Sequence, residues 1–296
     1  MNFGKVDDPT IIDFSIPVDD SATLKVLNNG ADDSFEVYIG CAKWNKTDLK
    51  GFYPKGTKDE LTYYSRQFNS IEMNSVFYNM PEAGQVLKWK NKTPEGFKFF
   101  PKITQSISHM RRLSNVEELT SIYCDAISHF EEKLGMCFLQ LHENFGVNSY
   151  DKLKAFITDF PRVIPLAVEV RGKEWYRDKD IWGEYCRFLE TQHTTNIIVD
   201  TAGRRDMMHM RLTTPIAFIR FVGCNVDQID FRRIDNWVER IVQWKETGLK
   251  QLCFFIHQNV EKSSPLFSAY LIEKLNNRLN IRLHIPEVAN GKTKLF

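Results

Sequence analysis

The run Ile164-Pro165-Leu166-Ala167-Val168-Glu169-Val170-Arg171 carries apolar residues straight into Glu169 and Arg171, with Trp175 close behind. Apolar residues without alternation mark a strand buried on both faces, as in a parallel sheet covered by helices. In open α/β sheets and α/β barrels, ligands sit at the carboxyl ends of such strands. The stretch therefore predicts both a fold class and the place to look for a site.

Outward from it, strands are predicted at 35–41, 70–73, 97–102, 136–141, 166–170, 196–199, 216–221 and 252–256. Helices are predicted between them at 58–68, 82–91, 116–134, 150–159, 178–191 and 234–247, with a last one at 265–277. In the longest of these periods Val116, Leu119, Ile122, Tyr123, Ala126, Ile127 and Phe130 share one helical face. Alternation of this kind requires parallel strands with crossover helices, and eight units in about 250 residues suggest a closed (β/α)8 barrel of the TIM type. Residues 201–215 look like a loop, so the barrel is expected to be irregular. A doubly wound sheet is the alternative, but no G-x-G-x-x-G or G-x-x-x-x-G-K-[ST] follows any strand, so neither a nicotinamide nor a flavin cofactor is expected.

The chain divides into an extension at 1–34, the barrel at 35–283 and a tail at 284–296. In the extension Asp7, Asp8, Asp19, Asp20, Asp32 and Asp33 interrupt short apolar pieces without a period, so it is expected to pack on the surface or stay partly mobile. A net charge of +1 argues for no global nucleic-acid field. The six cysteines form no C-x-x-C pair, no apolar run approaches a membrane span, and no signal peptide is visible, so a reduced, cytoplasmic setting is expected.

Polar residues at predicted strand ends are Trp44, Glu72 with Asn74, Lys102, Gln140, Glu169 with Arg171, Asp200, Arg220 and His257. On a barrel these converge on one mouth. Glu72, Glu169 and Asp200 could serve as general acid and base or hold a divalent metal; equally, they could pair with Lys102, Arg171 and Arg220 and satisfy the rim. The two arginines present forks matched to phosphate or carboxylate, and Lys102 could neutralise a developing anion. Trp44, Tyr78 and Trp175 could stack on a sugar or base, or be packing. His109, with Arg111 and Arg112, forms a local basic patch that a solvated loop would also explain.

The chain resembles the DUF72, or YecE-like, family. The matching pieces are Ile39-Gly40-Cys41-Ala42-Lys43-Trp44, Gly51-Phe52-Tyr53-Pro54, Phe68-Asn69-Ser70-Ile71-Glu72-Met73-Asn74, Lys102, His109, Gln140-Leu141, Glu169-Val170-Arg171 with Trp175, Asp200, and Arg220-Phe221 with Gly223. The resemblance implies a barrel related to triosephosphate isomerase, likened in fold alone to endonuclease IV and sugar isomerases. Departures fall at His142-Glu143, where the family usually has proline, at Val222, where it has His, and at His257-Gln258-Asn259, where it tends to carry paired Asn.

Together these residues predict a site for a small anionic ligand, such as a phosphorylated sugar, or for a nucleic-acid backbone. If the protein is an enzyme, hydrolysis or isomerisation would be the reaction, with Glu169 and Asp200 as acid or base. Lys102, Arg171 and Arg220 would grip the anion, and Glu72, Asn74, Trp44, Tyr78, His109, Trp175 and His257 would shape the pocket. The alternatives are a carbohydrate-active hydrolase using two carboxylates and a non-catalytic binding module. On this reading Glu169→Gln should abolish ligand binding or turnover and barely alter the melting temperature.

Overall fold

The computed structural model describes residues 4–28 and 34–288, so Asp32, Asp33 and the tail from 289 onward lie outside the described residues. After helix α1 (Ser21–Asn28), strand β1 (Glu36–Cys41) leads through α2 (Glu60–Gln67) to β2 (Ser70–Met73). The short α3 (Ser75–Tyr78) and α4 (Ala83–Lys92) precede β3 (Lys98–Pro101), and α5 (Glu117–Ser128) precedes β4 (Cys137–Gln140). Then come α6 (Tyr150–Asp159), β5 (Leu166–Glu169), α7 (Glu174–Arg177), α8 (Lys179–Thr191) and β6 (Thr195–Thr201). The chain continues with β7 (Ile216–Val222), α9 (Asp227–Thr247), β8 (Gln251–His257) and α10 (Ser264–Leu279). The eight predicted strands are all present, and 201–215 holds only a short 3-10 segment, Ala202–Met207.

All pairings are parallel: six strands form one curled sheet in the order β1-β8-β7-β6-β5-β4, and β2 pairs with β3. Two seams join these pieces into a TIM-barrel-like ring. Between β3 and β4, Gly135 N–H donates to the Phe99 carbonyl at 2.8 Å and Ile103 N–H to the Phe138 carbonyl at 2.9 Å. Between β1 and β2 the bonds are made by side chains. Asn69 Oδ1 accepts from Ile39 N–H at 3.0 Å while its Nδ2 donates to the Val37 carbonyl at 2.6 Å, so one amide replaces a rung of ladder on each side. The Tyr64 hydroxyl accepts from Cys41 N–H at 2.8 Å and donates to the Ser70 carbonyl at 3.1 Å. Gly40 belongs to this seam: a Cβ there would lie 2.2 Å from the Ser70 carbonyl oxygen, so only glycine permits the approach.

Because strand side chains alternate, one residue in two points into the ring. Phe100, Met136, Phe138, Ala167, Ile197, Val199, Phe218, Cys253 and Phe255 fill it, with partly buried Tyr38 packed against them. The helices cover the outer face in two larger apolar clusters. One step beyond the aromatic layer, at the carboxyl ends, the same parity delivers Lys102, Gln140, Glu169, Arg220 and His257; Glu72 stands in register with Phe100.

Besides the short helices α3 and α7, which no period predicted, the structure differs from the sequence reading in the bounds of two helices and in the extension. The helix predicted over 116–134 stops at Ser128, and Glu131 then takes φ +49° ahead of a 3-10 turn in which buried Lys133 donates to the Thr93 carbonyl at 2.7 Å. The helix predicted from 234 starts at Asp227, because its first buried positions include the ion pair Asp230–Arg233, which no apolar period reveals. In the extension, α1 forms where no period was visible, since its buried stripe is only Thr23 and Leu27; the Asp20 carboxylate caps it, accepting from Ala22 N–H at 2.8 Å. Among the described residues no helix is long and apolar enough to cross a membrane. All six cysteines are unpaired.

Replacing Asn69 with Ala leaves the buried Ile39 N–H and Val37 carbonyl without partners at the seam. The expected cost is about 2–4 kcal/mol of unfolding free energy, read from urea denaturation of the variant against the parent chain.

Candidate functional site

Arg220 is the centre of the mouth. It enters from β7 in the parity of Phe218, and its side chain is only 5% exposed. Its Nε and Nη2 donate to the two oxygens of Glu72, each at 2.9 Å, and its Nη1 donates to Glu169 Oε2 at 2.6 Å. One guanidinium thus joins a carboxylate from β2 to one from β5. Asn74 Nδ2 adds a bond to Glu72 Oε1 at 2.8 Å. His257 Nε2 lies 2.8 Å from Glu72 Oε2 and 3.3 Å from Arg220 Nη2. Arg220 can only donate, and the shorter contact is to a carboxylate, so this nitrogen carries its proton toward Glu72.

A second shell of bonds runs through Glu169. Gln140 Nε2 donates to both of its oxygens at 3.1 Å, and Arg171 Nε donates to Oε1 at 2.5 Å. The Gln140 side-chain carbonyl in turn accepts from Lys102 Nζ at 2.7 Å. The ammonium of Lys102 also stands 3.9 Å from the centre of the Phe77 ring. Lys102 forms no ion pair with any carboxylate among the described residues.

These contacts set the charges. Burial by itself would raise Glu169, but Arg171 and Arg220 outweigh it and hold the carboxyl at about 2. Glu72 is likewise held well below the usual carboxylate range, Arg220 and His257 overcoming its burial. Burial lowers Lys102 to about 7, aided by the nearby charges of Arg220 and Arg171. His109 is lowered to about 4, by burial first and then by Lys102 and His142. The two carboxylates are therefore held as anions, and burial brings Lys102 to the point where it changes charge near neutrality.

The sequence-predicted residues separate into two sets. Glu72, Asn74, Lys102, Glu169, Arg171, Arg220 and His257 come together at the mouth. His109 borders them, its ring edge-on to Phe77 at 4.9 Å and to His142 at 5.4 Å, so it is half-buried and not part of a solvated loop. Asp200 does not join Glu169. It pairs in register with Phe221, whereas Val199 pairs with Arg220, so its side chain leaves the ring on the helix side. There it meets Arg233 Nη2 at 2.9 Å, Trp237 Nε1 at 2.8 Å, and Arg205. Trp175 is fully buried and donates to the Phe145 carbonyl at 2.9 Å. Trp44 packs edge-on against Trp89, and Tyr78 is 66% exposed with its ring against Phe77; neither contacts the charged network. Gln140 is the residue that sequence reasoning left as a mere strand-end polar group; its parity with Phe138 was the available signal.

Beside the network opens a cleft of about 710 Å³, lined by Arg171, Arg220, Val222, His257, Asn259 and Glu261 and by residues 4–6. Among the described residues no group of three or more His, Cys, Asp or Glu is arranged to hold a metal ion; Glu72 and Glu169 face a guanidinium instead of each other.

This geometry reverses the expectation for Glu169→Gln, because removing one counter-charge of a buried Arg220 should lower stability by about 3 kcal/mol. A depressed carboxyl stabilises the fold above its unfolded pKa and loses that contribution as pH falls. The difference between wild type and Glu169→Gln should hold above pH 4.5 and shrink toward pH 2, in chemical denaturation repeated across that window.

Comparison with known proteins agrees with the fold. The family model described as Protein of unknown function DUF72 matches residues 38–290. The UPF0759 protein YecE of Escherichia coli strain K12 is 26% identical over 264 residues, which span 82% of this chain and 94% of that one. The UPF0759 protein YunF of Bacillus subtilis is 27% identical over 153 residues, or 47% of this chain and 52% of that one. A DUF72 family protein of Thermotoga maritima superposes with a TM-score of 0.67 at 23% identity, covering 83% of this chain and all 100% of its own. One from Enterococcus faecalis gives 0.66 at 18% identity, over 85% and 100%. With the family model matched over most of its length, the chain belongs to the DUF72 family.

Proposed function

We propose that the barrel mouth binds a small anionic ligand of the size and charge of a phosphorylated sugar, and that Lys102 carries the proton in its chemistry. The observation that supports this reading most is a buried lysine with no carboxylate partner among the described residues, standing near the charges of Arg220 and Arg171. Buried cations are ordinarily paired, and one that is not has charge to offer a ligand. The neighbouring cleft of about 710 Å³, whose wall includes Arg171, Arg220 and His257 and does not include Lys102, suits a small molecule better than a polymer backbone.

An amine near pKa 7 accepts and returns protons efficiently at neutral pH, which favours an isomerisation-type proton transfer. Glu169 and Glu72 are held as anions by Arg220 and orient the cations. A carbohydrate hydrolase would need one carboxyl group protonated to donate to the leaving oxygen, and neither of these is suited to that. The shifted carboxylates also weigh against a site that only docks a partner.

Thermal-shift titration with fructose 6-phosphate and inorganic phosphate tests the reading. A ligand at 100 times its dissociation constant adds about 2.7 kcal/mol of stability; this gain should vanish in Arg171→Ala, and no gain in the wild type would overturn the proposal. Binding a phosphate dianion favours the charged amine, so affinity should fall as pH rises through about 7, and Lys102→Met should flatten that dependence.

A further inference from the structure

The extension does more than pack on the surface, for its first described residues reach the mouth. Gly4, Lys5 and Val6 line the same cleft as Arg171, Arg220 and His257. The Gly4 carbonyl accepts from Asn259 Nδ2 at 3.1 Å. A Cβ on Gly4 would stand 2.4 Å from Val222 Cγ1, 3.3 Å from Asn259 Oδ1 and 3.7 Å from Thr201 Oγ1. Thr201 closes β6, Val222 closes β7 and Asn259 follows β8, so three neighbouring strand ends meet at this one glycine.

Further along, the segment is held at separate points. Phe14 is buried over the guanidinium of Arg233, at 4.5 Å, and clusters with Ala202 and Ile229. Asp19 pairs with Arg240 and accepts from Trp244 Nε1 at 3.0 Å. Thr23 Oγ1 donates to the Met210 carbonyl at 2.8 Å and accepts from Leu212 N–H at 3.0 Å. Such a series of anchors offsets the entropy of ordering a segment that forms no sheet. All of it precedes residue 38, where the match to the family model begins. Lys5 brings a cation to the cleft and forms no ion pair among the described residues.

Building on the anion-site reading, we infer that the N-terminal segment is a specificity wall: Lys5, carried on the cleft wall that this segment forms, provides a second positive contact besides Arg171, selecting ligands with two anionic groups. The cleft is large for one phosphate, and a bisphosphate would use both contacts.

Calorimetric titration of the full chain with fructose 1,6-bisphosphate and fructose 6-phosphate decides it. Wild type should prefer the bisphosphate; Lys5→Ala should weaken that affinity about tenfold and leave the monophosphate within about twofold. Gly4→Val, which forces the segment off Val222 and Asn259, should cause the same selective loss, and the melting curve of Lys5→Ala should match the parent. Equal affinity of wild type and Lys5→Ala for the bisphosphate, with the monophosphate still lost in Arg171→Ala, overturns the wall and leaves the anion site standing. Binding of neither phosphate to wild type removes both.

Discussion

Arg220 is held between Glu72 and Glu169, and much of the mouth follows from that one buried guanidinium. Stripping a cation of water costs several kcal/mol, which two carboxylates in hydrogen-bonding geometry can offset and one cannot easily. The partners lie 148 and 51 residues away along the chain. They also lie on different pieces of the ring, Glu72 on the two-stranded sheet and Glu169 on the six-stranded one. The ion triad is therefore a cross-brace as well as an electrostatic device. It aligns the half-barrels that the backbone ladder leaves unjoined between β1 and β2, where Asn69 and Tyr64 supply the remaining rungs.

The same triad sets the charge state of the groups around it. With Glu72 and Glu169 consumed in holding Arg220 and Arg171, the local field is positive at the end of β3. Lys102 sits in that field, in low dielectric, with a neutral amide for its acceptor. Burial and like charges act on it in the same direction, whereas on the carboxylates burial and the arginines act in opposite directions and the arginines win. Two fixed anions beside one titrating amine is the pattern in which environments drive ionisable groups apart and so assign their roles. The sequence reading put Glu169, Asp200 and Lys102 together as catalytic candidates; of these Asp200 lies outside the ring, and the proposed reading gives the proton-moving role to Lys102.

Asp200 and Trp175 show why strand-end position alone misleads. Both faces of these strands are buried, so the apolar run around Val199 carries no sign of which parity faces the ring. One residue of shift separates a side chain in the mouth from one under a helix. Asp200 takes the outward parity and finds Arg233, whose own place on the buried face of α9 was hidden because it pairs with Asp230 instead of packing as an apolar residue. Val222, at the inward parity and one of the places where the sequence departs from the resemblance, meets Gly4. That contact links a departure in the barrel to an extension that the periodicity of residues 1–34 did not explain.

The sequence by itself determined the strand count, the parallel alternation, the family, and the convergence of polar residues on one rim. These follow from local hydrophobic pattern and from the fact that crossover helices put all strand ends of one kind on one side. Tertiary structure decided the pairing of charges, the parity at each strand end, the two seams, and the course of the N-terminal segment. Each depends on contacts between residues tens to hundreds of positions apart, and on which of two buried faces a side chain joins. A linear pattern does not encode either.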